Sequence, residues 1–158
     1  IALGLVLVYI TFRFQWRQGI AAIITLLHDV MVVVGIFSIF DKEFTLPVIA
    51  ALLTVVGYSL NDTIVIFDRI RENISKFRKR ELLPLINQSV TETLSRTLLT
   101  SGTTLMVVLA LVFLGGEIIH DFAFALLVGV LIGTYSSIYV ASPTVLWLTK
   151  IAPPKTSD

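Results

Sequence analysis

Residues 46–67 read LPVIAALLTVVGYSLNDTIVIF, an apolar stretch whose one formal charge is Asp62. Coiled as a helix at about 1.5 Å per residue, this run is long enough to cross the roughly 30 Å hydrocarbon core of a bilayer. Outward from it lie four more apolar runs, at residues 1–12, 20–40, 97–115 and 122–148. Backbone groups in lipid must be satisfied within their own segment, and these runs are too long and too uniformly apolar for barrel strands. The sequence therefore predicts an all-α, polytopic transmembrane helix bundle of five spans, forming one membrane domain with a tail at 149–158. The run at 1–12 falls short of the roughly 17–25 residues a span needs, and position 1 is Ile rather than Met, so the chain reads as a fragment.

Composition agrees. Hydrophobic residues make up 56% of the 158, charged residues only 15%, and mean hydropathy is +0.91, whereas soluble domains carry about a quarter charged residues. A net charge of +1 argues against nucleic acid as a partner, since counterion displacement needs a dense cationic face. The chain has no Cys, which removes disulfides, thiolate metal sites and a Cys nucleophile.

Orientation follows from the loops. Arg13, Arg17, Arg69, Arg71, Lys76, Arg78, Lys79, Arg80, Arg96, Lys150 and Lys155 fall at one end of the spans, leaving only Lys42 among Asp41, Glu43, Glu117 and Asp121 at the other. The positive-inside rule places the basic end and the C-terminus in the cytoplasm. The first span then enters from outside, which fits an external domain upstream. Segment 68–95 is the one long connection. Phe67, Ile70, Ile74 and Phe77 recur at helical spacing with Arg and Lys between them, predicting a cytoplasmic amphipathic helix along the membrane surface. Pro84 suits the first turn of a second helix running into the span at 97–115. This basic segment is either the topogenic signal alone or a docking surface.

Ala125, Gly129, Gly133, Ser137 and Ala141 recur every fourth residue, and such a small-residue stripe lets another helix approach closely. Packing is its first reading, a sliding surface its second.

Polar groups inside the spans are the functional candidates, because a charge at a helix centre costs roughly 2.5–3.5 kcal/mol on insertion scales. Asp62, beside Asn61, lies about 22 Å along its helix from Pro47, and Arg96 about 28 Å from Gly115, so their depths differ by only about 6 Å. An interhelical Asp62–Arg96 pair is thus feasible. Thr100, Thr103 and Thr104 follow Arg96 at helical spacing and place hydroxyls on its face. A local pair between Arg96 and Glu92, one turn earlier, is the competing account. Asp62 has no comparable local cation, so it must find a partner on another helix, meet water or hold a proton. His28 and Asp29 lie near mid-bilayer, about 100° apart around their helix, and serve either interhelical hydrogen bonding or a proton route. His120 is the only other His, no H-E-x-x-H spacing exists, and no nucleophile and base set, P-loop or Rossmann pattern appears. Neither a catalytic nor a metal site is expected.

Several stretches carry a resemblance. They are His28-Asp29-Val30, Gly57-Tyr58-Ser59-Leu60-Asn61-Asp62-Thr63, Phe67-Asp68-Arg69-Ile70-Arg71-Glu72-Asn73, Arg96-Thr97-Leu98-Leu99-Thr100-Ser101-Gly102-Thr103-Thr104 and Gly133-Thr134-Tyr135-Ser136-Ser137-Ile138-Tyr139-Val140-Ala141. Together they resemble the SecF family of the SecD–SecF protein-export complex, related to resistance-nodulation-division transporters; Phe67-Asp68-Arg69 favours SecF over its sister SecD. The resemblance implies that these spans are the second to sixth of six, and that Asp62 and Arg96 form the proton-coupling pair. It implies proton-motive-force-driven assistance to preprotein export, SecD and the SecY–SecE–SecG translocon as partners, and a cytoplasmic (inner) membrane location. No cofactor is expected beyond a coupling ion, H+ or, at a carboxylate among hydroxyls, Na+. A passive scaffold subunit and a small-molecule exporter of the same superfamily are the alternatives.

Overall fold

The computed structural model describes Val8 and residues 16–77 and 81–151. All regular structure among them is helical: α1 (Trp16–Ile39), α2 (Leu46–Lys76), α3 (Leu82–Leu114), α4 (Glu117–Ser136), a π-helical turn (Ser137–Ala141) and α5 (Ser142–Ile151). Four continuous helical rods, the last running from Glu117 through Lys150, are long and apolar enough to cross a membrane. The chain is thus a multi-pass membrane protein. Apart from Val8, the expected span at 1–12 lies outside the described residues, as do Arg78 to Arg80 and the tail beyond residue 151.

Each connection has a local cause. After α1, Asp41 adopts a left-handed φ of 50°, with Asp41 N–H donating to Ser38 O and Lys42 N–H to Phe37 O, a Schellman closure that satisfies the last carbonyls. Pro47 stands in the first turn of α2, where its missing N–H costs no bond. Only Gly115 and Gly116 separate α3 from α4, and Gly116, at φ 75°, takes a conformation other residues resist.

Segment 68–95 departs from expectation. The departure is in the first half, where residues 68–76 continue α2 rather than forming a separate piece, while residues 82–95 begin α3 as the expected second helix running into the next span. Nothing between Phe67 and Lys76 breaks a helix. Phe67 and Ile70 pack on Ile86, Ala141 and Val145 in the protein core instead of facing lipid, and Pro84 does fall in the first turn of α3.

The small-residue stripe is buried throughout. A Cβ at Gly129 would lie 2.7 Å from Cγ1 of Val55, and one at Gly133 3.2 Å from Cβ of Ser59. These glycines seat α4 directly on α2. A four-residue repeat drifts by about 40° per step around an α-helix, which would carry Ser137 and Ala141 off the buried face. The π-turn accommodates an extra residue there and restores the register. Its cause lies one turn on: Pro143 has no N–H for the carbonyl of Tyr139 and crowds it.

Candidate functional site

Polar side chains gather where α2 crosses its neighbours at mid-span. Tyr58 and Ser59 project from α2 about 100° apart, and Asp62 follows one turn later in a direction between them. Ser59 Oγ donates to Asp29 Oδ2 at 2.5 Å, and Asp29 Oδ1 lies 3.1 Å from His28 Nδ1. Asp29 is completely buried and His28 partly exposed. Although adjacent on α1, the two meet each other, and Asp29 carries the bond across to α2. On the other side, Tyr58 Oη lies 3.2 Å from Ser101 Oγ of α3, which is 2.7 Å from Thr134 Oγ1 of α4. Hydroxyls and one carboxylate thus link all four long helices in a belt.

Asp62 sits one turn beyond this belt, 3% exposed, and its Oδ2 has no hydrogen-bond partner. A buried acceptor without a donor is costly and rare. The cation whose field acts on it is Arg96, from the adjacent α3, but no ion pair within 4.0 Å joins them among the described residues. Arg96 itself is exposed, as is Asn61. The two candidates stand on packed, neighbouring helices, with the acid inside and the guanidinium at the rim.

The local Glu92–Arg96 pairing does not occur. Glu92 instead accepts from Arg69 Nε of α2, from Asn73 Nδ2 at 3.1 Å and from Gln88 Nε2 at 2.8 Å. Buried Asn73 also donates to Ser89 at 2.9 Å. Arg69 further binds Glu72 at 2.7 Å, and Lys76 binds Glu72 at 2.6 Å. An open cleft of about 350 Å³, bordered by Asp68, Arg69, Glu92 and Arg96, separates α2 from α3 here.

Thr100, Thr103 and Thr104 donate to carbonyls of their own helix, at Arg96 or Thr97, Leu99 or Thr100, and Thr100. The face that α3 turns inward carries Ser89, Thr93, Thr97 and Ser101 instead. Tyr58, Ser59, Ser101 and Thr134 were missed as a group by sequence reasoning, though each lies within a motif already singled out. Their uncharged hydroxyls give no warning of burial until the helices are paired. Among the described residues no three His, Cys, Asp or Glu side chains gather as a metal cage requires.

Comparison with known proteins adds ancestry to this geometry. Residues 1–151 match the family described as protein export membrane protein SecD/SecF, C-terminal. The chain is 56% identical over 148 residues to the protein translocase subunit SecF of Vibrio alginolyticus, covering 94% of this chain and 47% of that one. It is 58% identical over 144 residues to SecF of Desulfurispirillum indicum, covering 89% and 46%. A crystal structure of SecDF in a super-membrane-facing form superposes with TM-score 0.88 at 53% identity, over 94% of this chain and 20% of that one. The chain therefore spans about half the length of these SecF relatives.

Proposed function

The chain belongs to the SecD/SecF C-terminal family of protein-export membrane proteins, and from that premise we propose that it is the membrane-embedded, proton-responsive part of a SecF-type subunit assisting Sec-dependent export. One observation carries the reading: Asp62 is buried with an unpartnered oxygen beside Arg96, on an adjacent helix, that does not bond it. A carboxyl held apart from its cation in a dry site keeps its proton, and one touched by a guanidinium gives it up. Moving Arg96 in and out thus alternates loading and release, and biases the bundle between two packings. Each charge crossing the membrane supplies about 2.3 kcal/mol per 100 mV. That work drives movement rather than bond-making, so neither an enzyme's catalytic set nor a cofactor beyond the proton is needed.

On this reading the basic end and the C-terminus face the cytoplasm in the inner membrane. SecD, named in the SecDF relatives, pairs with it; the least buried span, α3, offers a lipid-facing side for that contact. The SecY–SecE–SecG channel and the emerging preprotein are its further partners on this reading.

The test is gradient-driven export in membrane vesicles bearing full-length Asp62→Asn. Loss of the gradient-dependent component, with normal assembly, is the expected result. Unimpaired export in an assembled complex removes the proton-carrier assignment and leaves a scaffold.

A further inference from the structure

The network at the basic end of α2 and α3 has a bearing on Arg96. Glu92 lies one turn before Arg96 on α3, the spacing and order at which a carboxylate and a cation pair most readily along a helix. Yet its oxygens are taken: Oε2 by Arg69 Nε and Asn73 Nδ2, Oε1 by Gln88 Nε2. Glu72 is likewise held, by Arg69 and Lys76. Asp68, the remaining acid on the cleft, has an interaction of its own. Arg96 is left with no carboxylate within 4.0 Å among the described residues.

We propose that Arg69 is a positioning residue, which by holding Glu92 keeps Arg96 unpaired and available to Asp62. The inference rests on the proton-carrier reading of Asp62 and Arg96. Without Arg69, Glu92 turns toward the neighbouring guanidinium, and each approach of Arg96 to Asp62 must first break that pair. The residue touches neither the proton nor the acid that carries it. Its effect is to remove a competitor.

Full-length Arg69→Gln, Arg69→Gln with Glu92→Gln, Arg69→Lys and Asp62→Asn are compared in membrane vesicles, with gradient-driven export scaled to the amount of assembled protein. An exposed one-turn pair is worth a few tenths of a kcal/mol, so Arg69→Gln lowers export roughly twofold. Adding Glu92→Gln restores it although the network loses a second member, and Arg69→Lys, which keeps a cation on Glu92, stays near the unmodified rate. A merely structural role for Arg69 gives the opposite order, with the double variant worse than the single, and overturns the proposal. So does an undiminished rate for Arg69→Gln where Asp62→Asn is inactive. An active Asp62→Asn, by contrast, brings down the proton-carrier reading itself.

Discussion

The two ends of the bundle are built to different rules. Around Phe37 the buried side chains are Val33, Val48, Ala51, Val55, Val108, Ala125 and Leu126, all apolar, with Phe37 against Phe44 and Phe124 at ring separations of 5.6 and 5.8 Å. Toward the other end, apolar packing around Phe67 is interleaved with buried Asp62, Thr63, Asn73, Ser89, Thr93 and Thr97. Oxygens of Asp62, Thr63 and Gln18 there lack partners. Interlocked apolar side chains have one good arrangement. Hydrogen-bonding groups can exchange partners, so a two-state device belongs among them.

Substitutions in each region, followed by unfolding of the purified full-length protein, put this contrast to the test. Phe37→Ala removes a fully buried ring and is expected to cost roughly 3–5 kcal/mol, chiefly in lost packing contacts; a loss near zero would show that the apolar end is loosely packed. Gly129→Ala drives a methyl into Val55 and is expected to cost about 1–3 kcal/mol, mostly recovered by adding Val55→Ala; absence of that recovery would place the strain elsewhere. In the polar belt, Ser59→Ala takes a donor from buried Asp29 and is expected to cost about 1–2 kcal/mol, a smaller change than at Phe37. Smallest is Lys42→Ala, which breaks a half-exposed bridge to Asp121; a loss below about 1 kcal/mol, shrinking further in high salt, is expected.

Much of the apolar framework at both ends was legible beforehand. Run length marked the spans, and the spacing of Ala125, Gly129, Gly133, Ser137 and Ala141 marked the face of the last one that packs. For Asp62 the sequence left a partner on another helix, water or a bound proton open, and only the packed helices show it buried. Partner choice was not legible either. Spacing along one helix offered Arg96 to Glu92, while the structure gives Glu92 to Arg69, 23 residues away on another helix. Thr100, Thr103 and Thr104 share a face with Arg96 on a helical wheel, but the register between α2 and α3 turns Thr97 and Ser101 inward instead. The π-turn escaped for a similar reason: Pro143 announces a disturbance, and the packing of α4 on α2 decides that a wide turn accommodates it.

The two-glycine joint between α3 and α4 also sets how these helices can part. Tied at Gly115 and Gly116, they open only as a pair of scissors does, least at the hinge and most at the handles. Arg96 stands about 28 Å down that lever, so a splay of about 5° carries its backbone some 2.5 Å while hardly disturbing the tethered end. The Ser101–Thr134 contact, nearer the pivot, parts less in such a motion than the packing of Ile86 with Ala141 and Val145 farther along.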